Sequence, residues 1–369
     1  MEQKSNYKEF VRKILLEMIS KGASDLYLKY ATTPYFRIDG ELVASHYETM
    51  TSDDLESIAK ILMNKEQWNY FVNSCEMDLA HSIENVGRFR INVFKQRGYI
   101  GMVIRAVIWQ NLSFEKLGMP PAVQQLAELP RGLILVTGTT GSGKSTTLAA
   151  MINHINKIRK AHIVTIEDPI EFLYKDEKGL VNQREVGFDT LSFSDALKHV
   201  LRQAPDVILI GEMRDLETIS TAISAAETGH LVLSTLHTID AVQTLERIVN
   251  YFPSYLHNQI RLELSLSLRG VISQRLLPRK DRKGRIPAVE IMINTPTIKK
   301  YLLEGRTVEL PQLIEKGKNY GMQTFNQSLY NLIANKKVSV EDAMQYASNP
   351  EDLKLAISGI QTGTSGTYI

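Results

Sequence analysis

Leu133-Ile-Leu-Val136-Thr-Gly138-Thr-Thr-Gly-Ser-Gly143-Lys144-Ser145-Thr146 is the stretch whose reading decides how this chain folds. Its four apolar residues are too few for a helix and show no polar alternation, which suits a strand buried on both faces. A Gly-x-x-x-x-Gly-Lys-Ser turn follows at once, and Leu148, Met151, Ile152 and Ile155 then recur on one helical stripe. In a strand, turn and helix of this kind the glycines let backbone N–H groups turn inward and the helix N-terminus adds positive potential, so the turn suits a nucleotide's phosphates. Gly138, Thr139, Thr140, Gly141, Ser142, Gly143, Lys144, Ser145 and Thr146 are therefore expected to hold ATP. Lys144 reaches the β and γ phosphates, and the Ser145 hydroxyl serves Mg²⁺. The alternative, a glycine-rich turn without a ligand, leaves the Lys-Ser pair unexplained.

Three further apolar runs, Ile163 to Ile166, Val207 to Ile210 and Leu231 to Leu233, alternate with helical segments. The pattern predicts an α/β domain with a mostly parallel sheet. Ligands bind at the carboxyl ends of such strands, so the residues after each run are the next candidates. Glu212 ends Asp206-Val-Ile-Leu-Ile-Gly-Glu and fits an acid that orients attacking or Mg²⁺-bound water; the competing reading is a helix-capping carboxylate. Glu167, Asp168 and Glu171 form a second acidic cluster, of which one can act as general base and another can hold metal or local backbone donors; Glu171 is the choice for the base. His230 and His237 bracket the fourth run and read either as sensors of the γ-phosphate or as structural hydrogen-bonding residues. Seven residues apart across a strand, they do not converge on a metal.

Before residue 109 the chain reads differently. Phe10, Ile14 and Met18 mark an amphipathic helix stopped by Gly22, Asp39-Gly40 marks a tight hairpin, and Arg88 to Phe94 alternates strictly. A small α+β domain is expected over 1–108, a linker over 109–121 around Gly118-Met-Pro-Pro121, the phosphate-loop domain over 122–358, and a disordered Gly/Thr/Ser tail over 359–369. Arg88, Arg90, Arg97 and Arg105 lie in or beside the first domain's β segments and are candidates to offset transition-state charge, against the plainer reading of solvated arginines.

With 369 residues, two domains is the prior. The 43 Lys and Arg balance 41 Asp and Glu, so the overall field gives no reason to expect nucleic-acid binding. The basic run Arg279-Lys-Asp-Arg-Lys-Gly-Arg285 lacks interleaved aromatics and reads as a solvated hairpin turn. Cys75 is the single cysteine, which excludes an intrachain disulfide and a four-cysteine zinc site. No run approaches the ~18 apolar residues of a membrane span, so a cytoplasmic chain without membrane insertion is expected.

Across about residues 5 to 355 the chain resembles the PilT/PilU-type retraction ATPases of type IV pili, within the type II and type IV secretion ATPase superfamily. The likeness rests on Gly22-Ala-Ser-Asp25-Leu26, Gly87-Arg-Phe-Arg90, the phosphate loop, Ile166-Glu-Asp-Pro-Ile-Glu171, Val181-Asn-Gln-Arg-Glu-Val186, Pro205 through Arg214, and Ala226-Glu-Thr-Gly-His230 through His237. The resemblance implies a PAS-like first domain, a RecA-like second domain and a homo-hexamer with Mg-ATP at the domain junctions. It also implies a role at the inner-membrane base of the pilus, where such rings remove pilin through a platform protein. Catalysis is then shared by Glu212 and Glu171, and Arg88 and Arg90 contact nucleotide. Assembly and secretion ATPases commonly carry a further N-terminal domain and a four-cysteine motif, which favours retraction here. Asn294-Thr-Pro-Thr-Ile-Lys-Lys-Tyr301 and Gly321-Met-Gln-Thr-Phe325 look more like the accessory PilU type, while Gly211-Glu-Met-Arg-Asp-Leu-Glu-Thr218 has the main motor's wording. A lone motor and an assistant to a paralogous ATPase both stay open, as do an assembly or secretion ATPase and a non-motor regulatory ATP-binding module.

Overall fold

The computed structural model describes residues 2–84, 86–107 and 112–359, with side chains from Tyr7 onward. The chain divides into two compact units, Met1–Gln110 and Asn111–Ile369. The tail expected over 359–369 lies, from residue 360, outside the described residues, as do linker positions 109–111.

Unit 1 opens with α1 (Glu2–Ser20), whose Val11, Ile14, Leu15 and Met18 are buried. β1 (Asp25–Lys29), β2 (Tyr35–Ile38) and β3 (Glu41–Ala44) follow, then α2 (Ser52–Leu62) and α3 (Lys65–Ser74), then β4 (Glu76–Ile83), β5 (Gly87–Gln96) and β6 (Tyr99–Val107). Among the described residues the strands form one antiparallel sheet in the order β3-β2-β1-β6-β5-β4. Asp39 and Gly40 both take positive φ (51° and 89°), as the tight turn between twisted strands requires. On β5, Phe89, Ile91 and Val93 point into the core shared with α1 and α2.

Unit 2 begins earlier than the sequence pattern predicts. Its α4 (Phe114–Leu117) falls in the expected linker, yet Phe114 and Met119 are buried among α5 (Pro121–Ala127) and α6 (Lys144–Ile158). Gly118 and the prolines stop helices here without freeing the chain, because the intervening apolar side chains are packed. The remaining elements that position the site are β7 (Gly132–Thr137), β8 (His162–Glu167), β9 (Leu180–Glu185), α7 (Phe193–Val200), β10 (Val207–Ile210), α8 (Leu216–Glu227), β11 (Leu231–Leu236), α9 (Ala241–Asn250), α10 (His257–Ser267), β12 (Leu268–Pro278), β13 (Arg285–Ile293) and α11 (Pro296–Leu303). Among the described residues the sheet runs β13-β12-β7-β11-β10-β8-β9, parallel throughout except for the β12–β13 hairpin. Every residue of β7, β10 and β11 is buried, which accounts for the apolar runs Leu133 to Val136, Val207 to Ile210 and Leu231 to Leu233 within them. α6 covers one face, and α8, α9 and α10 pack in the core on the other.

Candidate functional site

Parallel register brings the chemistry to one edge of this sheet. Thr137 of β7 stands level with Leu236 of β11, Ile210 of β10 with Ser234 of β11, and Ile166 of β8 with Ile210. The residues that follow these strands therefore emerge together around a cavity of about 410 Å³. Thr140, Gly141, Gly143, Lys144, Ser145 and Thr146 form one wall, Glu167, Asp168 and Glu171 a second, and Glu212, Arg214 and His237 a third.

The loop owes its shape to residues that admit no substitute. Gly138 has φ 144°, and a Cβ there would stand 2.4 Å from Ser142 Oγ and 2.5 Å from the Gln274 carbonyl. Gly143 caps α6 with φ 93°, against Leu276. Gly138, Thr139 and Ser142 face a second cavity on the β12 side of the loop, so of the nine loop residues six line the main cavity. Lys144 is buried and its ammonium donates to the carbonyls of Gly138 (2.8 Å) and Thr139 (3.1 Å). Burial pulls its pKa down, while the nearby Glu212 and Glu171 carboxylates pull the other way. Both acids are thus close enough to act on the loop lysine.

Glu212 is held from two sides. Arg214 Nε donates to Glu212 Oε2 at 2.8 Å, and His237 Nε2 lies 3.4 Å from the same oxygen. The Arg214 side chain is 62% exposed, so this pair is screened and easily exchanged. Glu171 is exposed at the cavity wall. Glu167, by contrast, is buried, and burial raises its pKa to about 6 although Thr165 Oγ1 (2.7 Å) and Gln183 Nε2 (3.1 Å) donate to its Oε1. The acidic cluster therefore splits into an inward Glu167 and an outward Asp168 and Glu171.

His230 is not in this cavity. It precedes β11, its backbone carbonyl accepts from Gly132 at the start of β7, and its Nδ1 lies 2.9 Å from the Ala225 carbonyl. β11 separates it from His237, so in its own chain His230 lies outside the cavity that His237 lines. The four arginines all belong to unit 1. Arg105 Nε donates to buried Asp25 (2.8 Å), and Arg97 takes φ 52° in the turn between β5 and β6. Arg88 and Arg90 alternate with core residues on β5, and Arg90 stands opposite Arg105.

Arg214, Phe172, Leu276 and Arg285 also line the cavity, although no local pattern marks them as site residues. Arg279 and Asp281 pair within the hairpin turn and Lys337 joins them from outside it, while Pro278 pairs with Arg285 at the base, which places Arg285 beside the loop instead of at the tip. Only the β12–β7 pairing reveals this, and no local pattern encodes it.

The match to known proteins is extensive. The family model described as "Type II/IV secretion system protein" matches residues 1–357. The type IV pilus ATPase PilU of Pseudomonas aeruginosa is 41% identical over 345 residues, covering 94% of this chain and 90% of that protein. The type IV pilus retraction ATPase PilT of the same organism is 44% identical over 342 residues, covering 93% and 99%. A crystal structure of the pilus retraction motor PilT with bound ADP superposes with a TM-score of 0.85 at 43% identity, covering 93% of this chain and 98% of that one. The chain belongs to the Type II/IV secretion system protein family, among its type IV pilus ATPases of the PilT and PilU type.

Proposed function

We propose that this chain is a hexameric motor whose ATP hydrolysis powers type IV pilus retraction from the cytoplasmic base of the pilus, against an inner-membrane platform protein, alone or beside a paralogous motor. The observation that carries the reading is the convergence of Lys144, Glu212 and Glu171 on the cavity at the phosphate loop. Loop amides and Lys144 bind the phosphate chain, and Lys144 exchanges its two carbonyl acceptors for phosphate oxygens as it does so. Glu212, with His237 and the exchangeable Arg214 beside it, orients a water. Glu171 takes the proton as the water oxygen bonds to the γ-phosphorus and the bond to the bridging oxygen breaks, giving ADP and phosphate. Arg88 and Arg90 are the first-domain cations that would offset developing charge.

No three His, Cys, Asp or Glu converge as a metal cage among the described residues. The exposed Ser145 hydroxyl, in the cavity that Glu212 also lines, suits Mg²⁺, which favours one or two protein oxygens together with phosphate and water. Ser145 would hold it directly and Glu212 through water, with Asp168 and Glu167 further out; bound there, it would neutralise phosphate charge.

Glu212→Gln should bind ADP normally and lose ~10² to 10⁴ in turnover; undiminished hydrolysis would remove Glu212 from the mechanism. In cells, imaging of labelled pili in a strain lacking this chain should show fibres that extend and fail to shorten. Normal retraction without it and its paralogues would overturn the motor assignment, and loss of surface fibres would point to assembly instead.

A further inference from the structure

A polar row crosses the sheet at the level of the phosphate loop. Thr137, the last residue of β7, stands level with Ser273 of β12, which stands opposite Glu290 of β13. Thr137 Oγ1 donates to Ser273 Oγ at 2.9 Å, and both residues are fully buried. The Glu290 carboxylate, 8% exposed, does not continue the row through the sheet. Its Oε1 accepts the backbone N–H of Ala241 at 2.9 Å in a buried position, across 49 residues of sequence.

Ala241 is the first residue of α9, and only residues 238–240 separate it from His237. Those three residues span at most about 11 Å even when extended. The short loop is held at further points: Asp240 caps α9 through Gln243 N (2.7 Å), and Thr238 Oγ1 shares a buried hydrogen bond with Thr244 Oγ1 (2.7 Å). Asp240 and Thr238 pin the loop to α9, whereas Glu290 alone in this set pins α9 to a different strand. The N–H groups of a helix's first turn lack intrahelical partners, and a carboxylate is the strongest acceptor for them.

We propose that Glu290 is a positioning residue for hydrolysis: by fixing the start of α9 it holds the 238–240 loop, and through it His237, against Glu212. The inference rests on the ATPase reading of the site. It also places His237 and the lining residues Leu276 and Arg285 on one support, since the β12–β13 hairpin that carries Glu290 carries those two residues as well. The charged groups around Glu290 are Asp240, which opposes its ionisation, and Arg275, which favours it. Arg275 is itself anchored over the Phe325 ring at 3.8 Å.

The test compares full-length Glu290→Ala and Glu290→Gln with the wild type in three measurements: kcat, the dissociation constant of a fluorescent ADP analogue, and hydrogen exchange of the 238–243 amides. Glu290→Ala should lower kcat by about ten- to a hundredfold, as small misplacements do. ADP affinity should stay within about twofold, and loop amides should exchange about tenfold faster. Glu290→Gln keeps an acceptor oxygen and should recover most of both. Unchanged loop exchange in the alanine variant, ADP affinity falling in step with kcat, or a glutamine variant as impaired as alanine would each overturn the proposal. A wild type without turnover would instead overturn the ATPase reading, and the exchange data would still decide whether Glu290 pins the loop.

Discussion

Glu167 carries a proton more readily than an ordinary glutamate chiefly because it is enclosed, with the nearby Glu171 charge adding a smaller push in the same direction. Its pKa of about 6 lies above the unfolded value of 4.5, so the folded protein binds the extra proton between those pH values. Stability from this group is full below pH ~4.5 and is lost as the pH rises through about 6. Glu167→Gln should therefore gain stability relative to wild type on going from pH 5 to pH 8, by about 1 kcal/mol. Denaturant melts at the two pH values measure this, and an equal difference at both would contradict it. The contrast with Glu171 was invisible in the sequence, where Glu167, Asp168 and Glu171 read as one acidic cluster. What separates them is strand geometry: Glu167 is the last residue of β8 and turns inward toward Thr165 and Gln183, while Glu171 lies beyond the strand.

At the scale of elements, the phosphate loop was legible because every part of it is local: an apolar strand, glycines at fixed spacing, a helix with one apolar stripe. Four of the parallel strands, β7, β8, β10 and β11, were legible for the same reason. The support from β12 and β13 was not, since it depends on a long-range pairing and on residues such as Ser273 and Glu290 whose partners lie far away in sequence. The loop's intolerance follows from such a partner. Gly138→Ala would drive a methyl into Ser142 Oγ and the Gln274 carbonyl at a φ that L residues rarely adopt. It should destabilise the protein by more than about 1 kcal/mol and abolish ADP binding, as calorimetric titration and thermal melts would report. Wild-type binding by that variant would show that the loop relaxes where the packing says it cannot.

For the molecule as a whole, each unit has an apolar core of its own among the described residues. The cluster around Phe36, Phe71 and Phe89 draws only on unit 1, and the clusters around α6, around α8 to α10 and around Phe325 draw only on unit 2. Phe89→Ala should cost about 3–5 kcal/mol and lower one calorimetric transition while leaving a second in place; a single shifted transition would mean that the units unfold together. The separateness was legible as a change of sequence texture near residue 109, but the precise start of unit 2 was not, because Phe114 joins its core from within an irregular stretch. β11 carries a consequence of its own. With His230 before its first residue and His237 after its last, this strand spans about 20 Å at ~3.3 Å per residue, so the two histidines report on opposite rims of unit 2. Residues so far apart contribute independently. Removing both should multiply their separate effects on turnover, and any excess would measure communication along the sheet itself.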